Sequence, residues 1–123
     1  MASVTIAAVG DLFPNDHFMV DGQPVSPGFS NTLALLAASD LRFATFLMPL
    51  SERGEPADKL ANVRAHPDIA PDLAALRLDL VSLANNHSMD YGPLALFDTM
   101  AAFDAIGVRH IGAGRSSMTP SRP

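Results

Sequence analysis

Residues 78–92 read LDLVSLANNHSMDYG, and the character of the chain changes halfway through this stretch. The first half, LDLVSLA, is a short apolar run typical of a strand buried within a parallel sheet. The second half, NNHSMDYG, combines asparagine, histidine, aspartate, tyrosine and glycine within eight residues. Such residues are common in structural turns, but they also include side chains that bind metals and transfer protons. We therefore expect a buried strand that ends in a polar, chemically competent turn.

Three other apolar runs predict the remaining strands of the same sheet. Residues 4–9, VTIAAV, form a small and β-branched run that suits a strand buried on both faces. The runs LRFATFLM, residues 41–48, and VRHIG, residues 108–112, predict the second and fourth strands. With LDLVSLA, these runs give four strands in all.

Segments of helical periodicity lie between the predicted strands. Since strands and helices alternate as β-α-β-α-β-α-β, we predict the α/β class, with a mostly parallel sheet joined by right-handed crossovers. The three helical segments are TLALLAAS (32–39, capped by Ser30 or Asn31), IAPDLAAL (69–76), and PLALFDTMAAFDAI (93–106, with the stripe Leu96, Phe97, Met100 and Phe103).

Two long connections carry few regular signals. Residues 11–30 are rich in Pro and Gly and predict a long loop, unless HFMV and GQPV within it pair as a small hairpin. Residues 49–66, PLSERGEPADKLANVRAH, are polar and predict a solvated excursion. His66, which directly precedes Pro67, is interpreted as a helix-entry residue.

The composition narrows the classes of partner and ligand. A formal net charge of −5 over 123 residues leaves no basic face for nucleic acid, so we expect no nucleic-acid partner. There is no cysteine, so Asp, Asn and His would have to hold any metal. The first residues, MASVTIAAVGD, predict a strand and not an export signal, and no apolar run reaches the length of a membrane-spanning helix. The expected location is therefore cytoplasmic.

Polar residues follow two of the predicted strands at the same edge of the sheet. Asp11 comes after the first strand, and the Asn85–Asp90 cluster comes after the third. In open parallel sheets, ligands bind beyond the carboxyl ends of the strands. A carboxylate, an amide oxygen and an imidazole suit Mn, Mg, Zn or Fe, and a nearby acid can orient the imidazole. The alternative for Asp11 is a turn-capping role through an Asx hydrogen bond.

The string ANNHSMDYG, residues 84–92, followed by IGAG at 111–114, resembles the bacterial capsule-synthesis protein CapA family. Members are also called poly-γ-glutamate synthesis proteins, and their fold belongs with the calcineurin-like metallophosphoesterases. The strings VGD, SERGEPADK and RAHPDIAPDL, which begin at residues 9, 51 and 64, also fall in the order of that family. The resemblance covers residues 1–115, which we predict to form one CapA-like, metallophosphatase-type domain.

The resemblance implies a four-layer α/β/β/α sandwich, of which this chain would form the amino-terminal half. It implies a divalent-metal site at the strand ends, with Asp11, Asn86 and His87 as ligands. His87 would also stabilise a phosphoryl oxygen or protonate a leaving group, and Asp90 would orient it. The implied activity is hydrolysis of a phosphoester or other polyanionic substrate by metal-activated water, or a role in capsule and poly-γ-glutamate assembly, and members often act at or outside the membrane.

The chain departs from the family pattern in ways that support a second hypothesis. Leu47 stands where the family has a glutamate near the metal, and Phe13 stands where related phosphoesterases have a histidine. Residues 116–123 lack the usual acidic, apolar continuation, and a one-base frameshift would produce such a tail. Half a sandwich would expose a sheet face and favour self-association. The alternative to an enzyme is therefore a truncated, non-catalytic remnant or binding module.

Overall fold

The computed structural model describes residues 2–14 and 16–114 and confirms the α/β class. Four parallel strands form the main sheet in the order β1-β4-β5-β6. Two very short strands, β2 and β3, pair as an antiparallel hairpin. The strands are β1 (Ile6–Leu12), β2 (Met19–Val20), β3 (Gln23–Pro24), β4 (Leu41–Phe46), β5 (Leu80–Ser82) and β6 (Arg109–Ile111); the helices are α1 (Pro27–Ala37), α2 (Ala70–Ala75) and α3 (Gly92–Ala105).

All three helices cover the same face of the main sheet. The strand order runs in one direction along the chain, and right-handed crossovers then place each successive helix on the same side. The core supports this arrangement, because residues of all three helices pack with one set of sheet residues. Its members include Leu36 of α1, Leu73 of α2, Phe103 of α3, and Ala44, Phe46 and Val81 of the sheet. The opposite face carries no helix of the described chain.

The first strand is more exposed than its sequence suggests. The prediction that residues 4–9 are buried on both faces is wrong, because Val4 is 67% exposed and Ile6 is 64% exposed. Two features of the fold account for this: β1 lies at the edge of the sheet, and no helix formed by the described residues covers one of its faces. Leu41 of the neighbouring strand is exposed on the same side. Self-association through this apolar face stays a prediction.

The first helix begins earlier than its sequence suggests. Ser26, and not Ser30 or Asn31, is the amino-terminal cap, and its side chain accepts a hydrogen bond from the Phe29 amide. Pro27 occupies the first helical turn, where the missing N–H of proline costs nothing. The Ser-Pro-Gly sequence resembles a turn, so the sequence pattern indicates a helix only from residue 32.

The second and third helices match the sequence patterns closely. Ile69, Leu73 and Leu76 are all buried, as their spacing predicts. His66 caps the 3-10 turn Pro67–Ile69 that precedes α2, with its Nδ1 accepting from the Asp68 amide, which confirms its helix-entry role. In α3, Leu96 and Phe103 are buried, Met100 packs partly against the core and Phe97 is half-buried. The polar Thr99 is buried as well, because its hydroxyl accepts from the Leu50 amide.

The hairpin predicted as one option within residues 11–30 is present, and a buried carboxylate attaches it to α2. Asp21 and Gly22 at its turn both have positive φ, 51° and 76°, as a tight two-residue hairpin loop requires. Asp72 Oδ2 accepts from the amides of Phe18 and Met19 at 2.9 and 3.0 Å and lies 3.2 Å from His17 Nδ1. Burial by itself would raise the pKa of Asp72, but these hydrogen bonds hold the pKa below its ordinary value.

We expect Asp72→Asn to lower stability at pH 7 by about 1–2 kcal/mol, because an amide replaces a carboxylate that accepts charge-assisted hydrogen bonds. The pKa of Asp72 is lower in the folded state than in the unfolded chain. Its contribution to the free energy of unfolding is therefore complete above about pH 4 and is lost as the pH falls through the folded-state pKa. The difference between the wild type and the variant in urea midpoint should therefore shrink from pH 7 to pH 3. Asp21→Asn is the matched control, because Asp21 lies at the turn of the hairpin that Asp72 contacts. An equal effect of both substitutions would contradict this role of Asp72.

Two further sequence-based expectations concern the tail of the chain and the presence of a membrane-spanning helix. The atypical tail at residues 116–123, and with it the frameshift hypothesis, lies outside the described residues. Within the described ranges, no helix is both long and apolar enough to cross a membrane.

Candidate functional site

The carboxyl ends of the parallel strands form one edge of the sheet. Asp11 pairs in register with Thr45 of β4, which in turn pairs with Ser82 of β5. Neighbouring strands lie about 4.8 Å apart, so Asp11 and Ser82 belong to one polar row about 10 Å long. Asn85 follows Ser82 by three residues. The structure therefore places Asp11 and the Asn85–Asp90 turn at the same edge, as the sequence predicts.

Asp11 lies within β1 and not after it, because the strand extends to Leu12. The register of β1 against β4 shifts between Ala8 and Asp11, where three residues of β1 match two of β4. Such an irregularity changes the direction of the side chains that follow it. The Asp11 carboxylate is exposed and takes part in no hydrogen bond or ion pair within residues 2–14 and 16–114. Among the described residues it therefore makes no turn-capping bond, and its oxygens are available to a ligand.

Asn85 fixes the start of the turn to the neighbouring strand. Its Nδ2 donates to the Phe46 carbonyl at 2.8 Å, and its Oδ1 accepts from the His87 amide at 2.9 Å. The Ser88 hydroxyl donates to the Asn85 carbonyl at 3.0 Å. Both functional groups of the Asn85 side chain are thus used internally. Asn86, the next residue, is exposed.

His87 and Asp90 form a close pair at the centre of the turn. His87 Nδ1 lies 2.6 Å from Asp90 Oδ2, and the Asp90 side chain is fully buried while that of His87 is 18% exposed. An ionised carboxylate only accepts hydrogen bonds, so in the neutral imidazole Nδ1 is the protonated ring nitrogen and Nε2 carries the lone pair. The structure thus brings together the two residues predicted to act in proton transfer, and it places the Asp90 carboxylate within hydrogen-bond distance of the His87 ring.

Two further groups stabilise the buried carboxylate of Asp90. Lys59 Nζ lies 2.5 Å from Asp90 Oδ1, and the Val63 amide donates to Asp90 Oδ2 at 2.7 Å. Burial by itself would raise the pKa of Asp90, but the contact with Lys59 and the hydrogen bonds with Val63 and His87 outweigh it and hold the pKa below its ordinary value. Asp90 is therefore a fixed anion at neutral pH.

The connection at residues 49–66 is largely exposed, as its composition predicts, but specific contacts attach it to the rest of the fold. Arg53 makes a two-point contact with Asp98 of α3, at 2.9 Å from Nε and 2.6 Å from Nη2. The Arg64 guanidinium lies 4.1 Å from the centre of the Tyr91 ring, a distance that suits a cation-π contact. Long-range ionic and cation-π contacts therefore attach this loop to α3 and to the turn.

Lys59 is the residue of the site that sequence reasoning missed. It is the only lysine of the chain, but it lies 31 positions before Asp90 within a polar loop, so no local pattern indicates the contact. Gly54 is a second residue of this loop whose contact with the turn no local pattern indicates. Its φ is +89°, and a side chain on it would collide with the Tyr91 carbonyl, so only glycine allows the loop to lie this close.

The described residues do not form a complete metal site by themselves. Within residues 2–14 and 16–114, no group of three or more His, Cys, Asp or Glu side chains is placed to hold a metal ion. Asp90 is occupied by Lys59 and His87, which leaves Asp11, the Asn86 amide and His87 Nε2 as the available donors. Their chemistry suits a divalent ion, but they would fill only part of its coordination shell.

The fold and this turn define an α/β protein whose polar site lies at the carboxyl ends of parallel strands. The sequence of residues 5–123 matches the family model described as bacterial capsule synthesis protein PGA_cap. Over 76% of its own length, the chain is 37% identical to a probable polyglutamine synthesis accessory protein of Mycobacterium tuberculosis. It is 33% identical to an uncharacterised protein of Sinorhizobium fredii over 91% of its length, and 26% identical to the capsule biosynthesis protein CapA of Bacillus anthracis over 92%.

The chain belongs to the bacterial capsule synthesis protein family, as the ANNHSMDYG string indicates. Its alignments cover 26% of the Mycobacterium protein, 25% of the Sinorhizobium protein and 29% of the Bacillus protein, so the chain spans about a quarter of the length of these relatives.

Proposed function

We propose that this chain supplies part of a metallophosphatase-like site in a protein of capsule or poly-γ-glutamate synthesis. In this proposal, the strand edge carries Asp11, Asn86 and His87 as contributors to a divalent-metal site, and His87 with Asp90 as the group that transfers a proton. The names of two relatives, a capsule biosynthesis protein and a probable polyglutamine synthesis accessory protein, support this context. The reaction would be hydrolysis of a phosphoester.

The observation that carries the proposal is the His87–Asp90 pair. A buried aspartate that holds one ring nitrogen of a histidine at 2.6 Å leaves the other nitrogen in a fixed direction. Fixed histidines of this kind act as general acids and bases or as metal ligands, and the partner carboxylate sets the tautomer.

The chemistry of the chain's own residues follows from this arrangement. His87 Nε2, which carries the lone pair, can accept a proton from water or pass a proton to the oxygen of a leaving group. Asp90, fixed by Lys59 and Val63, stabilises the imidazolium that forms during the transfer. Asp11 offers an exposed carboxylate at the same edge. A divalent ion such as Mn, Fe, Zn or Mg would supply a water nucleophile at neutral pH and polarise a phosphoryl oxygen.

The charges around the turn suit an anionic substrate better than a cationic one. Lys59 is partly exposed, and Arg64 lies exposed against Tyr91 on the same loop. Both cations contact residues of the turn that carries His87, although the chain as a whole carries a net charge of −5. A phosphoester or another polyanion is therefore the substrate class that we propose.

Mn²⁺ binding tests the proposal on the purified protein. We expect calorimetric titration to show one site whose affinity falls about tenfold or more in Asp11→Ala and in His87→Ala, because each substitution removes a donor. Asp104→Ala is the matched control, since Asp104 is an exposed carboxylate near the carboxyl end of α3, remote from the strand-edge turn, and its substitution should leave Mn²⁺ uptake unchanged. Equal, weak uptake by all four proteins would refute the metal site for this chain.

The alternative function is that of a non-catalytic remnant or binding module. Leu47 favours it, because this side chain at the end of β4 replaces the carboxylate that the family resemblance implies. The Leu47 amide donates to the Leu12 carbonyl at 3.1 Å, so the backbone of the strand end is intact and only the donor is missing. If Mn²⁺ fails to bind while the protein remains folded, this alternative replaces the enzymatic one.

A further inference from the structure

Lys59 contacts the turn on both sides of His87. Its Nζ lies 2.5 Å from Asp90 Oδ1 and donates to the Asn86 carbonyl at 2.7 Å. One ammonium group therefore joins the residue before His87 to the acid three positions after it. The Lys59 side chain is 35% exposed, whereas that of Asp90 is fully buried, so the contact reaches from the surface into the interior.

The two oxygens of Asp90 have separate partners. Oδ1 faces Lys59, and Oδ2 faces His87 Nδ1 and the Val63 amide. Oδ1 is paired with the ammonium group by charge and has no hydrogen-bond partner of good geometry among the described residues, so rotation of the carboxylate would break this ion pair. Oδ2 is thereby kept in line with the imidazole ring.

We propose that Lys59 is a positioning residue for His87, and that it acts by fixing the orientation of the Asp90 carboxylate. The inference rests on the proposed role of His87 in proton transfer. In this arrangement Lys59 does not touch the substrate; it ensures that His87 presents Nε2, and not Nδ1, as the nitrogen with the lone pair.

The simpler role for Lys59 is to anchor the 49–66 loop, and the structure allows the two roles to be separated. The loop has other attachments that do not involve Lys59: the Ala57 amide donates to the Asp90 carbonyl at 2.7 Å, and Arg53 and Arg64 contact Asp98 and Tyr91. These contacts should keep the loop in place when Lys59 is replaced. A change in His87 with the loop still docked would then report positioning and not anchoring.

The test is the tautomer of His87, read from long-range ¹H–¹⁵N correlations of the imidazole at pH 9, above the ordinary range of imidazole titration. The wild type should be dominated by the Nδ1–H form. Lys59→Met should give a mixture of both tautomers, and Lys59→Arg, which restores a cation, should return the spectrum towards the wild type. Arg53→Met removes a cation from the same loop without touching the turn, and it should leave the tautomer unchanged.

Wild-type tautomer populations in Lys59→Met, with the amide signals of Ala57 and Val63 at their native positions, would overturn the inference. If Lys59→Met does not fold, Lys59→Gln keeps an N–H donor without the charge and should show the same mixture. The readout needs neither metal nor turnover. Absence of Mn²⁺ binding with the expected tautomer changes would refute the metal proposal alone, and unchanged tautomers with normal Mn²⁺ binding would refute the positioning role alone.

Discussion

Replacing Asp90 with alanine should lower the free energy of unfolding by about 3 kcal/mol, far more than replacement of an exposed aspartate. The Asp90 carboxylate is buried and meets Lys59, Val63 and His87 within 2.7 Å. Its removal leaves the Val63 amide without an acceptor and removes the side-chain contacts that Lys59 and His87 make with residue 90. The urea midpoint at pH 7 measures the loss.

Asp104→Ala provides the comparison for this prediction. Asp104 contacts His110 at 2.9 Å, but its side chain is 69% exposed, and such surface pairs contribute at most about 1 kcal/mol. Asp90→Asn keeps the shape of the side chain and one acceptor oxygen, so its loss should lie between the other two. Equal midpoints for Asp90→Ala and Asp104→Ala would show that the buried pair does not stabilise the turn.

A second large effect is expected in the core, where Phe103→Ala should cost about 3–5 kcal/mol. Phe103 of α3 and Phe46 of β4 are buried and meet edge to face, with ring centres 5.0 Å apart. The truncation removes the ring contact and leaves a cavity between helix and sheet. Chemical denaturation should show an earlier transition or, because small domains have only about 5–15 kcal/mol in total, the loss of a cooperative one.

Two further variants separate this effect from a general sensitivity to substitution. Phe103→Leu keeps most of the volume and should be clearly less destabilised than Phe103→Ala. Phe13→Ala removes a phenylalanine that is 46% exposed, and it should change stability by about 0.5 kcal/mol or less. Comparable losses at positions 13 and 103 would contradict the assignment of the core to the helix-covered face.

Local patterns predicted most of the architecture. The alternation of apolar runs and helical periodicity gave the parallel α/β class, and the buried positions Ile69, Leu73 and Leu76 followed from their spacing. The exposure of Ile6 could not be predicted in this way, because it depends on the position of β1 at the sheet edge and on all helices lying on one face. An apolar strand has the same sequence in either environment.

The sequence predicted only those parts of the candidate site that depend on local patterns. Asp11, Asn86, His87 and Asp90 were recognised from the strand ends and from the family resemblance, and the pairing of His87 with Asp90 spans only three residues. Lys59 was missed because its contact with Asp90 is long-range and its surroundings resemble an ordinary polar loop. The capping of α1 by Ser26 was missed because Ser-Pro-Gly is also a common turn sequence.

The most direct test of the strand-edge site is to map Mn²⁺ on the folded protein by the paramagnetic broadening of backbone amide signals. We predict that substoichiometric Mn²⁺ broadens the signals of Asp11, Asn86 and His87 together, and that His87→Ala abolishes this selectivity. Broadening confined to other acidic surface residues, such as Asp104, or spread evenly over the chain, would show that the two strand ends do not form a common site.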